Sequence, residues 1–281
     1  MRQKIKVAIQ GKLGSFHNIV ANQYFGNDTS LVLCDSFDQT VKELLEKNAD
    51  IAVMAIENSI AGSIIPNYAL IDQNNLKIIG EYGLNINHNL MGLEGQSIEE
   101  IDEVFSHPMA LLQCKSFFKN YPHIRLVESE DTAEEALLIS KNQLKRRGAI
   151  ASEEAANMFN LTIYASSIQT IKNNVTRFFI LQNKGSLVSE KKINKASLKF
   201  ILDHKRGSLA AVLNVMSDCQ LNLTKIQSLP VIETPGKYSF FVDITFDDYS
   251  NYNKARKLIE IMASKFKILG EYVQHERDEK S

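Results

Sequence analysis

Short apolar runs alternate with amphipathic stretches along the first 60 residues. Residues 4–9, Lys-Ile-Lys-Val-Ala-Ile, have the period of two that is typical of a strand. Ser15 is placed to cap a helix over Phe16–Phe25, and Ile51–Ile56 is apolar on both faces, like a buried parallel strand. A further strand and helix are predicted between them, at 30–34 and 37–48. Strand, helix, strand, helix, strand predicts a parallel α/β layer.

The same alternation continues to residue 182. Thr132-Ala133-Glu134-Glu135 fits a capping box, and Ser152 is the predicted cap of the helix that follows it. The other predicted elements are extended segments within 77–90, a strand at Val104-Phe105, a helix from Ser106 to about Asn120, a helix from Thr132 to about Leu144, a strand at Ala149–Ala151 and a last strand at Arg177–Gln182.

A polar and charged stretch at 183–196 separates a second, smaller unit from the first. Two helical stripes, one led by Leu209 and one by Ala255, lie between segments with strand periodicity. The predicted strands are Ser197–Asp203, Leu223–Val231, Tyr238–Thr245 and 267–274, with a turn at Thr234-Pro235-Gly236. The order β-α-β-β-α-β predicts a ferredoxin-like module of about 80 residues.

Charge and composition exclude several functional classes. The 32 Lys and Arg against 33 Asp and Glu leave a net charge of −1, which gives no indication of a nucleic-acid partner. The N-terminus has no apolar secretory core, and no run approaches the length of a membrane span, so we expect a cytoplasmic protein. Cys34, Cys114 and Cys219 are unclustered, and we interpret each as a small buried residue.

Polar clusters follow several strands of the first unit, where ligands bind in open α/β sheets. They are Gly11–Phe16, Glu57-Asn58-Ser59, Ser106-His107 and Asn173–Phe178. Taken singly, each cluster is better explained as a turn or a helix cap. Arg177 is the first residue of an apolar strand, so we expect it to hold an anionic ligand or to form a structural ion pair. No P-loop, dinucleotide fingerprint, nucleophile elbow or metal-spaced histidine pair is present, so we expect neither cofactor nor metal.

Taken together, these motifs resemble the prephenate dehydratase family, in the monofunctional form with a C-terminal ACT domain. Asn174-x-Thr176-Arg177-Phe178 is like the family's N-x-T-R-F signature, and Glu57-Asn58-Ser59 with Gly62 and Ser63 is like its E-N-S-x-x-G segment. Ser106-His107-Pro108 through Gln113-Cys114 resembles its S-H-P-Q-A-L-x-Q-C helix, with Met109 in place of Gln. Asp131-Thr132-Ala133 and Ala149–Ala151 follow in the right order.

The resemblance implies an α/β fold, a two-lobed catalytic domain like a type II periplasmic binding protein followed by a ferredoxin-like βαββαβ ACT domain. The implied divisions are a catalytic domain at 1–184, with lobe one at about 1–82 plus 162–184 and lobe two at about 83–161, a linker at 185–196, and an ACT domain at 197–275. The implied reaction converts prephenate to phenylpyruvate with loss of water and carbon dioxide. Arogenate dehydration and a non-catalytic small-molecule sensor are the alternatives.

The resemblance also implies the roles of individual residues. Thr176 donates to the leaving hydroxyl, Arg177 holds a carboxylate, and Glu57 either orients Arg177 or acts as the acid. His107 either holds a carboxylate or caps its own helix. The implied substrate-binding residues are Ser15, Phe16, Asn58, Ser59, Gly62, Ser63, His107, Asn174 and Phe178. His17, in a first loop that departs from the family's pattern, is interpreted as a helix-surface residue rather than a ligand contact.

A phenylalanine effector site is implied in the ACT domain. The implied residues are Gly207, Ser208, Leu209, Asn222, Gln227, Ser228 and Pro230. Gln227 and Leu229 stand where the family has Glu and Arg, which removes a possible ion pair from this site. The implied partners are prephenate, a phenylalanine effector and further copies of the chain, as a homodimer or a dimer of dimers, with no nucleic acid or membrane.

Overall fold

The chain forms two compact units. The structure, a computed structural model, describes residues 4–26, 29–183, 193–203, 205–231, 234 and 237–275. The first unit comprises Met1–Asn67 and Tyr82–Phe178, and the second comprises Tyr68–Glu81 and Phe179–Ser281. The sequence placed the domain boundary at 184, whereas the division between compact units falls within two strands, at Glu81 and at Phe178.

A parallel sheet forms the first lobe of the first unit, as the alternation predicted. β1 pairs in parallel with both β2 and β3, and β4 pairs with the end of β3. Ser15 caps α1 by accepting from the backbone N–H of Asn18. The elements in chain order are β1 Ile5–Gln10, α1 Phe16–Phe25, β2 Thr29–Cys34, α2 Phe37–Leu45, β3 Ile51–Asn58, β4 Gly62–Ser63, α3 Ile65–Gln73 and β5 Lys77–Asn85.

A second sheet, in the order β10-β6-β9-β7-β8, forms the second lobe of the first unit. Its elements are β6 Asn89–Gly92, β7 Glu103–Ser106, α4 Pro108–Cys114, β8 Arg125–Glu128, α5 Thr132–Asn142, β9 Arg147–Ala151, α6 Glu153–Phe159 and β10 Thr162–Ala165. The lobe extends a few residues beyond its predicted end near 161, because Thr162 and Ile163 pair with Gly92 and Met91 of β6. The chain then returns to the first sheet through β11, Val175–Gln182.

Three predicted boundaries in this unit need correction. The capping box at Thr132 is wrong: Asp131 is the cap, and its Oδ1 accepts from the backbone N–H groups of Ala133 and Glu134. The helix after Ser106 ends at Cys114, and only a short 3-10 turn, Phe117–Asn120, continues it. β3 does not stop at Ile56, because pairing with β4 extends it through Asn58.

The second unit contains the predicted β-α-β-β-α-β order. Its elements are β12 Lys195–Leu202, α7 Ser208–Asp218, β13 Asn222–Pro230, β14 Tyr238–Thr245, α8 Tyr249–Met262 and β15 Lys265–Tyr272. The four strands are antiparallel, and Leu198, Phe200 and Val242 lie in the core between the sheet and the two helices. β12 begins at Lys195, inside the predicted linker, because Lys195 pairs with Thr245.

Several predictions fall partly or wholly outside the described residues. These are most of the linker (184–192), Pro235 and Gly236 of the predicted turn, and the charged end from residue 276.

Buried and part-buried ion pairs lie in the second unit where β5 and α3 contribute to it. Lys195 Nζ lies 2.8 Å from Glu81 Oε1, and both side chains are less than a tenth exposed. Asp72 accepts from Lys199 and, at 2.9 Å, from Lys267. Burial alone would raise the pKa of Asp72, but the hydrogen bonds from these two lysines outweigh it and lower that pKa.

The cysteines match their interpretation as packing residues. Cys34 and Cys114 are buried free thiols, and Cys219 is half-buried against the core of the second unit. Burial raises the pKa of Cys114 to about 12, which keeps it protonated at neutral pH. Among the residues that the structure describes, no group of three or more His, Cys, Asp or Glu side chains is arranged to hold a metal ion.

The longest described helix, α8, has 14 residues. Across the described ranges, no helix combines the length and the apolar character needed to cross a membrane.

Candidate active site

The end of β3 and the start of β11 bring three predicted site residues into contact. Asn58, the last residue of β3, donates from Nδ2 to Thr176 Oγ1 at 3.0 Å and to Asn174 Oδ1 at 2.7 Å. Thr176 is 9% exposed and Asn174 is fully buried. Residues 118 positions apart in the chain therefore share one polar site.

The direction of the hydrogen bond at Thr176 is fixed by the backbone. Asn58 Oδ1 accepts from the backbone N–H groups of Ile60 and Ala61, both at 2.9 Å. A backbone N–H can only donate, so the oxygen of the Asn58 amide must face this turn and its NH₂ must face Thr176. Thr176 Oγ1 is consequently an acceptor from Asn58, and its own hydroxyl proton is left to donate elsewhere.

The hydrogen bonds continue from Asn58 into the second lobe. Asn174 Nδ2 donates to Gln113 Oε1 at 2.8 Å, and His88 Nε2 lies 3.1 Å from the same oxygen. We call Asn58, Asn174, Gln113 and His88 the amide relay. It joins the end of β3, the segment before β11, helix α4 and the segment between β5 and β6.

Ser59 has a structural function in joining the two strands. Its backbone N–H donates to the Val175 carbonyl at 2.8 Å, and its Oγ accepts from the Val175 N–H at 2.9 Å and donates to the Asn173 carbonyl at 3.4 Å. Gly62 and Ser63, also predicted to bind substrate, form β4 beside the end of β3. These contacts hold Asn58 against Thr176.

Strand alternation separates Arg177 from Thr176. Successive side chains of a strand point to opposite faces, so Arg177 lies on the face of β11 opposite to Thr176 and Phe178. Since Asn58 shares the face of Thr176, Glu57 lies on the opposite face of β3. Glu57 and Arg177 therefore share one face of two neighbouring strands.

The loop after β1 packs on helix N-termini of the second lobe. Ser152, the cap of α6, donates from Oγ to the Gly14 carbonyl at 2.6 Å. Gly14 has φ +80°, and a Cβ there would lie 2.9 Å from Ala155 Cα, so only glycine fits this approach. Lys12 lies 2.7 Å from Asp35 and 4.0 Å from Glu134 of α5. Ser15 is buried in this loop as the cap of α1.

Three aromatic or imidazole side chains predicted at the site have clear positions. His107 caps α4, with Nδ1 accepting from the Met109 N–H at 3.2 Å, and burial lowers its pKa. Phe16 meets the ring of His88 edge-on at 5.7 Å between centroids. Phe178 is 1% exposed, and its ring lies 5.0 Å from that of His17.

His17 is not on the helix surface, so that interpretation is wrong. The side chain is buried between Phe37 and Phe178, and Nε2 accepts from the Ala55 N–H at 3.3 Å. Burial lowers the pKa of His17 to about 3, so the ring is neutral. The residue belongs to the core of the first lobe and supports β3 from the side of α1.

The predicted effector residues lie at two places in the second unit. Gly207, with φ +82°, and Ser208 begin α7, followed by Leu209, which packs against the core. The others lie on β13, an edge strand. Gln227 and Ser228 are neighbours along β13, and their side chains point to opposite faces.

Sequence reasoning attached no site role to Gln113 and His88, which belong to the amide relay, or to Ser152, which holds the loop after β1. Gln113 stood within a quoted motif, so the signal was present but no role was attached to it. His88 had no local signal, because its contact with Gln113 depends on where the chain crosses between lobes.

A family model described as prephenate dehydratase matches residues 7–186. The chain belongs to the prephenate dehydratase family. The activity of the family is the conversion of prephenate to phenylpyruvate, carbon dioxide and water, and the chain is an enzyme of this kind in phenylalanine biosynthesis.

Two relatives support this assignment. Arogenate dehydratase/prephenate dehydratase 2, a chloroplastic protein of Arabidopsis thaliana, is 35% identical over 280 residues, covering 96% of this chain and 73% of the relative. Prephenate dehydratase of Methanocaldococcus jannaschii is 34% identical over 244 residues, covering 86% of this chain and 85% of the relative.

Two solved structures share the fold. Prephenate dehydratase of Arthrobacter aurescens, in complex with L-Phe, has a TM-score of 0.87 at 24% identity and covers 99% of this chain and 91% of that one. GqqA, described as a quorum-quenching acylase, has a TM-score of 0.86 at 23% identity and covers 96% and 98%. The predicted α/β class is confirmed, and the activity assignment comes from the family match, since one fold here accompanies two activities.

Proposed function

We propose that Thr176 assists prephenate dehydration by donating a hydrogen bond from its hydroxyl to the ring hydroxyl that leaves. The observation that carries this proposal is the direction of the Asn58 amide. Asn58 Nδ2 donates to Thr176 Oγ1, which leaves the hydroxyl proton of Thr176 available to a ligand. The contribution is positioning and partial charge stabilisation, because a threonine hydroxyl is too weak an acid to give up its proton.

The chemistry of the substrate explains why such a donor suffices. The bond from the ring to its carboxylate breaks to release carbon dioxide, and its electron pair enters the ring as the bond to the hydroxyl breaks. One proton from solvent converts the departing hydroxide to water. Aromatisation of the ring drives the reaction, so the step that needs help is the departure of hydroxide.

Arg177 and Glu57 are proposed to act as a pair. The planar guanidinium of Arg177 suits a carboxylate of the substrate. Because Glu57 shares a face of the sheet with Arg177 and not with Thr176, we favour orienting Arg177 as the function of Glu57 over proton donation. Ser15, Ser63 and His107 remain candidates for further hydrogen bonds to the substrate.

Two variants of Thr176 test the proposed role. Thr176→Val removes the hydroxyl at constant shape, and we expect kcat for prephenate to fall at least about tenfold with an unchanged Tm. Thr176→Ser keeps the hydroxyl and is expected to retain most of the turnover. Wild-type kcat in Thr176→Val would refute the role of Thr176.

Prephenate is the substrate of the family, and we propose that it is preferred over arogenate, the alternative that the name of a plant relative also gives. Arogenate bears an ammonium where prephenate bears a ketone, so the two differ at the side chain and not at the ring. Purified protein offered each compound separately, with phenylpyruvate and phenylalanine measured as products, decides between them. A folded protein that converts neither compound would contradict the assigned activity.

L-Phenylalanine is the proposed effector, bound by the ACT module at the start of α7 and along β13. The support is the fold shared with a prephenate dehydratase that was solved with L-Phe. Ser228 is exposed on the edge strand, so Ser228→Ala should weaken L-Phe binding in calorimetry without changing Tm. Ser217→Ala, an exposed change at the other end of α7, is the matched control.

A cytoplasmic homodimer or dimer of dimers is proposed for the assembly. The edge position of β13 supports pairing between copies of this module. Light scattering with and without L-Phe measures the number of copies.

A further inference from the structure

The amide relay has a donor direction at every link, and this direction determines the tautomer of its last member. Asn58 must present its NH₂ to Asn174, so Asn174 must present Oδ1 to Asn58 and Nδ2 to Gln113. Gln113 must therefore present Oε1 to Asn174. The same Oε1 faces His88 Nε2 at 3.1 Å, and an amide oxygen can only accept. The proton of His88 is consequently on Nε2.

The environment of His88 agrees with a neutral ring that carries its proton on Nε2. The side chain is 4% exposed, and His88 Nδ1 is buried with no hydrogen-bond partner among the described residues. Burial lowers the pKa of His88 to about 4, so the ring is neutral at pH 7. In the other tautomer, Nδ1 would be an unsatisfied donor and Nε2 would face Gln113 Oε1 as a second acceptor, which is worse at both atoms.

His88 is also held from its backbone. Its N–H donates to Gln169 Oε1 at 2.9 Å, and its carbonyl accepts from the Ile168 N–H at 2.8 Å. Phe16 meets the ring from the side of the loop after β1. The imidazole is thus a rigid donor that points at Gln113. It lies where the segment before β6 contacts the segment between β10 and β11, the two places at which the chain passes between the lobes.

We propose that His88 is a positioning residue for the dehydration: its Nε2–H holds Gln113 Oε1 so that the amide relay keeps Asn58 as the donor to Thr176. This inference rests on the proposed role of Thr176. The backbone turn at Ile60 and Ala61 anchors one end of the relay, and His88 anchors the other. With both ends fixed, no amide in the relay can flip by 180° without placing two donors or two acceptors against each other.

Two amide substitutions of His88 test whether the donor at Nε2 is the part of the ring that matters. His88→Gln places an NH₂ near the position of Nε2, whereas His88→Asn places one near Nδ1 and leaves Gln113 without its donor. We expect His88→Gln to keep kcat within about threefold, and His88→Asn and His88→Leu to lose about tenfold with KM little changed. A His88→Asn variant as active as His88→Gln would overturn the proposal. If His88→Leu does not fold, the Gln and Asn pair still decides.

A double-variant cycle shows whether His88 acts through Thr176. In the Thr176→Val background, His88→Leu should cause no further loss of kcat, because the hydroxyl that the relay orients is absent. An equal loss in both backgrounds would contradict the proposal. If Thr176→Val alone has wild-type turnover, the proposed role of Thr176 fails, and the cycle reports that separately.

The tautomer has a readout that is independent of activity. In ¹⁵N NMR of the full-length protein at pH 7, we expect the His88 resonances of a ring with a protonated Nε2 and an unprotonated Nδ1. A proton on Nδ1 would overturn the inference even if every activity measurement agreed.

Discussion

The two units bury polar side chains in opposite ways. The first contains the amide relay, whose members are all neutral. The second buries full charges, most completely in the pair of Glu81 and Lys195. An ion pair attracts strongly but from any direction, whereas an amide has one donor end and one acceptor end. The relay can therefore determine which atom of Thr176 donates, which a buried charge could not do as specifically.

Because the relay is neutral, it does not neutralise the negative charges of the substrate, and other groups must do so. Prephenate is a dianion, and the chain as a whole carries a net charge of −1. On the proposed mechanism the attraction comes from local cations, with Arg177 as the candidate, and the relay adds no charge that would compete. In the second unit, where no reaction is proposed, each of these charges has an opposite charge beside it, so removing one partner leaves the other uncompensated.

Breaking the ion pair is the largest expected effect. Lys195→Met deprives the buried Glu81 carboxylate of the ammonium that donates to it, so we expect unfolding to become easier by about 3–5 kcal/mol. Urea denaturation of the full chain measures this loss. Replacing both residues, with Lys195→Met and Glu81→Leu together, should recover most of it. A urea midpoint unchanged by Lys195→Met would show that the pair contributes nothing.

The buried, neutral imidazole of His17 in the first unit makes the stability of the fold depend on pH. His17 has a pKa of about 3 when folded and an ordinary value of 6.5. As the pH falls below 6.5, the unfolded chain gains a proton that the folded chain refuses. The folded state therefore loses about 1.4 kcal/mol of stability per pH unit, or about 2 kcal/mol between pH 6.5 and 5.

His17→Gln is the matched variant for this pH dependence. It keeps an acceptor for the Ala55 N–H but does not titrate. Its unfolding free energy should fall by about 2 kcal/mol less than that of the wild type over the same pH range. His88, whose pKa is also lowered, contributes equally in both proteins and cancels. Parallel pH profiles would contradict a neutral buried His17.

Local signals predicted most of the fold, because they are carried by neighbouring residues. Helix α1 has its predicted limits, since the Ser15 cap and the apolar spacing both lie within it. The cap of α5 was predicted one residue late because Thr132 and Asp131 are both good caps. Only the structure shows that the Asp131 carboxylate accepts the two backbone bonds.

Residues of the candidate active site could be predicted only where they belong to a sequence motif. Asn58 and Thr176 were chosen from the sequence, but the bond between them spans 118 positions and its direction depends on the turn at Ile60 and Ala61. His17 was misplaced because an imidazole in a helix gives no sign of which face is buried. The role of His88 depends on contacts across two lobes, which no local pattern carries.

The claim that the direction of the Asn58 amide controls Thr176 has a direct test. Asn58→Asp keeps the shape and keeps an acceptor for the turn, but it replaces the NH₂ by an oxygen. Thr176 would then donate its proton to the introduced carboxylate instead of to the substrate. We expect kcat at saturating prephenate to fall at least about tenfold, equivalent to about 1.4 kcal/mol.

The decisive measurement is kcat for Asn58→Asp in the wild-type and Thr176→Val backgrounds, with folding checked by Tm. We expect a large loss of kcat in the first background and no further loss in the second, since both changes remove the same donor. Wild-type turnover in Asn58→Asp, or a full additional loss in the double variant, would contradict it.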